Sequence, residues 1–295
     1  MRILVTGGTG FVGPRVVHAL RAHGRDVRAL VRRPERGAHL AGLGAKLSVG
    51  DVTDPASLRA ALEGCTHVVH LVAILKGRPQ DFDRVMTQGT RNLVAAAKEA
   101  GLERFVLMSA LGTTATTKDV VPYFGAKWAM EQEVQGSGLE YTIFRPSFVF
   151  GRGGGALPTF VRQVRYSPVV TVIGSGRQRI QPIWIDDVAE YFARAVEAPG
   201  AANRTFELGG PDVVSWDGLY QTIANVLGKR RRLVHVPASV ARAGASATQW
   251  APGAPLTTDQ ISMIEAGDNV VASSDAVDTF QLPLVPLEEQ IRRAT

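Results

Sequence analysis

Two spacings of apolar residues alternate through the first half of the chain. RILVT from Arg2, DVRALV from Asp26, AKLSVG from Ala45, HVVHLV from His67, RFVLMS from Arg104 and YTIFRP from Tyr141 are short runs rich in Val, Ile and Leu. Their length predicts strands, and their near-continuous apolar character predicts strands covered on both faces. Between them, PRVVHALRAHG, PASLRAALEG, FDRVMTQGTRNLVAAAKEAG and the segment from Tyr123 to Gly138 place apolar residues at helical spacing. Strand and helix in alternation predict parallel β-α-β units with right-handed crossovers. The expected class is α/β, a doubly wound parallel sheet with a smaller discontinuous C-terminal α/β region.

The rhythm breaks after Gly151. GRGGGALP reads as a flexible connection, followed by a helix from Thr159 to Tyr166 and a loop-rich stretch to Gln181. PIWIDDVAEYFARAVEAPG restores a strand and a helix that Asp186 or Asp187 can cap, with Gly200 past its end. TFELGG, from Thr205, predicts a further strand in the second region, and Ala238 to Pro255 a helix and a loop. The expected organisation is a first domain over 1–150, to which 181–206 return, and a smaller region over 151–295 for substrate or partner.

Composition narrows the setting. No apolar run approaches a membrane span, and the longest, Val68 to Leu75, is interrupted by His70. Strand-like sequence from Arg2 leaves no leader to expect. A single cysteine, Cys65, excludes an internal disulfide and suits a buried filler in a reducing compartment. The expected location is cytoplasmic, at most peripheral to the inner face of the membrane. A net charge of +6 invites a nucleic-acid reading, but no binding motif accompanies Arg230, Arg231 and Arg232, the only arginine triple. An anionic membrane surface or an acidic partner protein is the better use of that charge, against the default of a solvated face. His67 and His70 lie in an apolar strand and read as core or strand-edge residues. No second cluster suggests a metal, so none is expected. Trp184, Trp216 and Trp250 are assigned to packing ahead of lining a cavity.

The candidate chemistry starts at VTGGTGFVG, Val5 to Gly13, placed between the first strand and the first helix. Gly7 permits a sharp turn, Gly10 lets backbone approach a pyrophosphate, and Gly13 lets the helix pack closely. N–H groups around Phe11 and Val12 would then face phosphate from the helix N-terminus, where Pro14 has no intrahelical partner to lose. This is the arrangement of a Rossmann-type dinucleotide site, with Gly7, Thr9, Gly10, Phe11, Val12 and Gly13 as its cradle. Arg32 and Arg33 end the second strand where an acid would hold the 2′-hydroxyl of NAD. Arginine there suits the 2′-phosphate of NADP(H), leaving NAD(H) second; the alternative is two solvated loop arginines.

Tyr123 and Lys127 stand at i and i+4 of one predicted helix. An ammonium near a phenol favours the phenolate, which makes the tyrosine a better acid and base near neutral pH. Ser109 ends the preceding strand, where its hydroxyl could hold a substrate carbonyl.

With TGGTGFVG, GDVTD, HLVA, YFGAK, FRPSFVFG and PIWIDDVAE, the chain resembles the extended short-chain dehydrogenase/reductase family over nearly its whole length. The resemblance implies Asp51 and Val52 beside the adenine, and Leu71, Val72 and Ala73 along the nicotinamide ribose. It implies Tyr123 as acid and base, and Lys127 on the ribose hydroxyls. Pro146 to Val149, Phe148 included, would wall the nicotinamide. NRTFELGGPDVVSW and PLTTDQISMIEAGDNVV are similar, more narrowly, to bacterial relatives of a respiratory complex I accessory subunit, alpha subcomplex subunit nine. That implies a firmly held NADPH and a respiratory-complex protein or membrane surface as partner. The chain departs from the extended pattern in one place. Ser109 is fourteen residues before Tyr123, a shortened loop in which Thr113, Thr114, Thr116 or Thr117 could supply the additional hydroxyl. Two functions remain open: an oxidoreductase or epimerase on a small or apolar carbonyl compound, and a nucleotide-loaded structural or assembly factor with an idle Tyr/Lys pair. A redox or metabolite sensor is third.

Overall fold

The apolar runs form strands β1 (Arg2–Thr6), β2 (Asp26–Val31), β3 (Lys46–Val49), β4 (His67–His70), β5 (Arg104–Met108) and β6 (Glu140–Pro146). The computed structural model describes residues 1–248 and 257–295 and places these strands in one sheet, ordered β6-β5-β4-β1-β2-β3. Every pairing is parallel. After β3 the chain crosses to the far side of β1 to lay down β4, so the order reverses between β1 and β4. In sheets of this kind ligands bind outside the carboxyl ends of the strands at that reversal. The fold is the Rossmann-type doubly wound sheet.

Helices α1 (Gly13–Ala22), α2 (Pro34–Gly42), α3 (Pro55–Leu62), α4 (Pro79–Phe82), α5 (Gly89–Glu99) and α6 (Pro122–Gln135) supply the crossovers. Pro opens five of these at its first or second position, where a missing N–H leaves no intrahelical bond unmade. Asp54 caps α3 by accepting from Ala56 N. One face of each longer helix is buried; α1 turns Val16, Val17 and Leu20 inward against a sheet whose Ile3, Leu4 and Val5 are fully covered. Burial of each such side chain contributes about 1.5–3 kcal/mol. Between α4 and α5 the residues Asp83–Gln88 form a π-helix, a turn type found often at functional sites.

Four elements differ from the sequence expectation. α2 begins at Pro34, directly after Arg32 and Arg33, where no helix was foreseen; its buried residues are Gly37 and Leu40 alone, too sparse a stripe to read. TFELGG does not belong to the second region: Arg204–Leu208 pairs parallel with β6 as the seventh strand of the main sheet. The stretch expected to be loop contains the strand Val169–Ile173. Asp186 and Asp187 lie within the first turn of helix Ile185–Ala195 and do not cap it, since the helix begins two or three residues earlier than such a cap requires. Negative charge in that turn complements the helix dipole.

The chain divides into two compact units, Met1–Pro146 with Ile185–Leu208 and Ser273–Pro283, and Ser147–Trp184 with Gly209–Ala272 and Leu284–Thr295. In the first, Phe144 of β6 meets Tyr191, Phe192, Phe206 and Phe280 at ring-centroid separations of 4.9 to 5.9 Å. That cluster is why the remote helix Asp275–Phe280 returns to the sheet, an association carried by aromatic area and not by local pattern. In the second, strands Val169–Ile173 and Arg232–Val236 form a parallel pair. Trp216 is buried against Phe148 and Phe160 at 5.3 and 5.6 Å. The helix Ala238–Thr248 covers the start of the expected helix and loop, whose remainder, with Trp250, lies outside the described residues.

Candidate active site

The glycine loop is shaped by backbone that no side chain could share. Gly7 adopts φ +76°, and a Cβ there would lie 2.8 Å from the Leu71 carbonyl carbon and the Val72 nitrogen. Gly7 therefore serves two needs, the left-handed turn and the close passage of the loop after β4. A Cβ on Gly13 would overlap the backbone of Gly8, so α1 can begin there only from glycine. The exposed Gly10 differs: a Cβ would meet only the Gly7 carbonyl oxygen, at 3.2 Å, and the space beyond is open. Phe11, Val12 and Gly13 sit at or before the first helical turn, so their N–H groups have no carbonyl four residues back. Open space over glycine, with unspent N–H groups beside it, fits a phosphate. Thr9 is exposed on the same loop.

Beneath the loop a closed polar chain ties β1, β4 and the π-helix. Thr6 Oγ1 lies 2.5 Å from His70 Nδ1, His70 Nε2 lies 3.0 Å from Thr90 Oγ1, and Thr90 donates to the Met86 carbonyl at 2.6 Å. Since the Thr90 proton is committed to Met86, His70 Nε2 is the donor to Thr90 and Nδ1 accepts from Thr6. Burial, with the charge of Lys127 as the smaller cause, pushes His70 down to about 3. His70 is thus a neutral core histidine, as expected of it. His67 is likewise buried and lowered chiefly by burial. Cys65 is buried, with its thiol pushed up by burial.

At the end of β2, Arg32 and Arg33 are exposed, and Arg33 immediately precedes α2. Arg32 Nε lies 4.0 Å from Asp51 Oδ2. The other Asp51 oxygen accepts from the Thr53 N–H and hydroxyl, both at 2.9 Å. Val52 is buried, and its carbonyl accepts from Asn92 Nδ2. Leu71 is buried with its N–H on the Thr6 carbonyl, while Val72 is half-buried and Ala73 exposed. Pro146 ends β6 and accepts from Leu111 N at 2.9 Å. Phe148 and Val149 belong to the second unit, where Val149 pairs with Ile183.

The Tyr123–Lys127 pair is differently poised from the sequence expectation. Lys127 is 1% exposed, and its Nζ donates to the Met108 carbonyl at 2.6 Å. It stands 5.9 Å from the centre of the Tyr123 ring. Burial pushes the ammonium down to about 7, with Glu131 opposing the shift. Burial also raises the Tyr123 phenol. The expected lowering of the phenol by its lysine is therefore not found: burial alone sets the direction, and the ammonium is engaged with a carbonyl. Four residues beyond Lys127, Glu131 is fully buried and grips Arg145 through a two-bond fork at 2.9 and 2.5 Å. That pair fixes α6 on β6.

The threonine loop sorts its own candidates. Thr114 Oγ1 bonds with the hydroxyls of Thr116 and Thr117, each at 2.9 Å, and Thr117 also donates to Gly112 O. Ser109 Oγ and Thr113 Oγ1 are both buried and have no hydrogen-bond partner. Buried hydroxyls left unmatched cost stability, and in native structures they call for a functional reason. Thr113 is singled out by burial, which no sequence spacing reveals. Thr90 and the Glu131–Arg145 fork were also missed, although Glu131 at i+4 from Lys127 was a readable signal.

Residues 3–209 match the model of the NAD dependent epimerase/dehydratase family. The ceramide reductase of Caulobacter vibrioides is 28% identical over 84% of this chain and 78% of its own length. The Arabidopsis thaliana mitochondrial protein NADH dehydrogenase [ubiquinone] 1 alpha subcomplex subunit 9 is 28% identical over 96% of this chain and 73% of its own. Among solved structures, Citrobacter sp. triphenylmethane reductase complexed with NADP(H) superposes with a TM-score of 0.80 at 21% identity, covering 100% of both chains. With the doubly wound sheet and the glycine loop, the match over most of the chain means that this protein belongs to the NAD dependent epimerase/dehydratase family.

Proposed function

We propose that the protein is an NADP(H)-dependent oxidoreductase that reduces the carbonyl group of a small or apolar substrate. The observation that carries this reading is the contrast between spent and unspent donors past β5. Lys127 is fixed on the Met108 carbonyl, while neighbouring Ser109, and Thr113 in the following loop, hold buried hydroxyls with nothing to bond. A carbonyl oxygen is a group that two hydroxyl donors and a phenol can share. NADPH, when bound, supplies the hydride. Ser109 and Thr113 polarise the substrate carbonyl, and Tyr123 gives its proton to the oxygen. The phenol is protonated at neutral pH, as the reductive direction requires. Protonated Lys127 holds the ribose hydroxyls with its remaining protons, and its charge stabilises the phenolate left behind. Asp51, Val52, Leu71, Val72, Ala73 and Pro146 complete the proposed nucleotide contacts. Arg32 and Arg33 prefer the 2′-phosphate of NADP(H) over NAD(H). In this reading the first unit carries the nucleotide and the second serves the substrate or a partner. Similarity to a ceramide reductase supports the apolar end of the substrate range.

A second reading, a nucleotide-loaded structural or assembly factor of a respiratory complex, is favoured by the similarity to the alpha subcomplex subunit over 96% of this chain. The two separate experimentally. The nucleotide that co-purifies is identified by mass spectrometry, and NADPH oxidation is followed against a panel of ketones from short to long chain. Steady oxidation with one ketone class supports the enzyme. NADPH held without turnover across the panel, with a respiratory complex lost when the protein is removed from its host, supports the scaffold.

A further inference from the structure

Two segments of the chain are basic and contain no acid. Residues 157–174 and 228–236 contain Arg162, Arg165, Lys229, Arg230, Arg231 and Arg232 and no Asp or Glu. Those six cations equal the net charge of +6, so the remainder of the chain is balanced. The two segments are joined in space: Val169–Ile173 and Arg232–Val236 form the parallel strand pair of the second unit, in the register Arg232↔Val169 and Val234↔Thr171. Arg231 stitches them further, donating to the carbonyls of Val164 and Arg165 at 2.6 and 3.2 Å. That guanidinium is committed to structure. Arg162, Lys229, Arg230 and Arg232 are exposed, and no ion pair forms at any of them among the described residues.

Alternation along the strand pair puts Val169, Thr171, Arg232 and Val234 on one outward face, and all four are exposed. Beside Val169, after the Ser167-Pro168 turn, Tyr166 is 75% exposed at the end of its helix. Apolar side chains in water among unpaired cations form a surface with two demands, negative charge and a place to bury area. A nucleic acid or an acidic peptide meets only the first. The headgroup layer of a bilayer meets both, since Lys and Arg engage lipid phosphates while Tyr and aliphatic groups enter the interface.

We propose that this face of the second unit docks on an anionic lipid membrane. No helix among the described residues is long and apolar enough to cross a membrane, so the attachment is peripheral and depends on ionic strength. The inference does not rest on the catalytic reading; an enzyme and a scaffold alike could be held by it.

The test is flotation of the purified protein with phosphatidylcholine vesicles, with and without phosphatidylglycerol, across a salt series. Wild type is expected to float with the anionic vesicles only, and to be released by salt. Lys229→Gln/Arg230→Gln/Arg232→Gln is expected to lower partitioning roughly a hundredfold, at about fivefold per cation near a charged surface. Tyr166→Ser is expected to weaken binding severalfold while leaving the slope against salt unchanged. All these side chains are exposed and belong to the second unit, whereas the glycine loop belongs to the first, so nucleotide affinity serves as the folding control. Equal flotation with neutral vesicles, no flotation with either, or a triple variant that floats like wild type would each overturn the proposal. So would a Tyr166→Ser variant indistinguishable from wild type, which would make the face a general polyanion or acidic-protein surface.

Discussion

Lys127 links burial to function most directly. Burial pushes its ammonium down to about 7, whereas the unfolded side chain holds its proton to about 10.4. Between those values the unfolded state binds more protons than the folded one, so Lys127 makes stability rise with pH, by at most about 1.4 kcal/mol per pH unit. Nucleotide binding that requires the ammonium must run the other way and weaken as pH rises past 7. Calorimetric titration with NADPH at pH 8, in buffers of differing ionisation enthalpy, is expected to show net proton uptake. Lys127→Met should abolish that uptake and flatten the stability slope above pH 7; uptake persisting in the variant would assign it elsewhere. At the same scale, Ser109→Ala and Thr113→Ala remove hydroxyls that bond to nothing in the free chain. Each is expected to leave the melting temperature within about a degree or raise it, because an unmatched buried hydroxyl is a cost. Each should lower turnover by about tenfold or more if it binds the carbonyl oxygen. The i, i+4 placement of Tyr123 and Lys127 was legible in sequence. The direction of their pKa shifts was not, since both are set chiefly by burial, a property of the assembled chain.

The glycine loop with α1 is the element on which nucleotide affinity turns. Gly13→Ala places a methyl group inside the Gly8 backbone, and the forced shift is expected to cost about 1–3 kcal/mol of stability and to weaken NADPH severely. Gly10→Ala, whose methyl would meet only one carbonyl oxygen, should leave the ligand-free fold nearly unchanged yet still weaken NADPH. Thermal melts with and without nucleotide check the pair; equal loss of unliganded stability in both would contradict the division of labour between the two glycines. Arg32 and Arg33 test selectivity at the end of β2. Two charge-assisted bonds to a 2′-phosphate are worth about 1.5–3 kcal/mol each. Arg32→Ala/Arg33→Ala should therefore weaken NADPH strongly and NADH little, measured by parallel titrations. The strands and most helices of this half were readable because both sheet faces are covered and each crossover repeats one pattern. α2 escaped because glycine makes one of its inward contacts, and the π-helix because its hydrogen bonding leaves no mark on apolar spacing.

At the scale of the whole molecule, the order of pieces along the chain defeats a linear reading. The seventh strand, Arg204–Leu208, and the helix Asp275–Phe280 return to the first sheet through aromatic contacts around Phe144. Partners so distant in sequence announce themselves by no periodicity. The same holds for the basic strand pair of the second unit, whose two segments are separated by more than half a hundred residues yet share one face. Nucleotide that binds only the folded chain is expected to stabilise it by roughly 2.7 kcal/mol at a hundredfold excess over Kd. That would be so for enzyme and scaffold alike. The decisive measurement is a paired one on wild type and Tyr123→Phe: NADPH affinity by titration, and single-turnover hydride transfer to the best ketone from the panel. The expected result is affinity unchanged within about twofold and transfer slowed by about 10²–10⁴-fold, the worth of a positioned proton donor. Equal transfer rates in the two proteins, with NADPH bound equally well, would contradict the assignment of Tyr123 as the acid and the catalytic reading built on it.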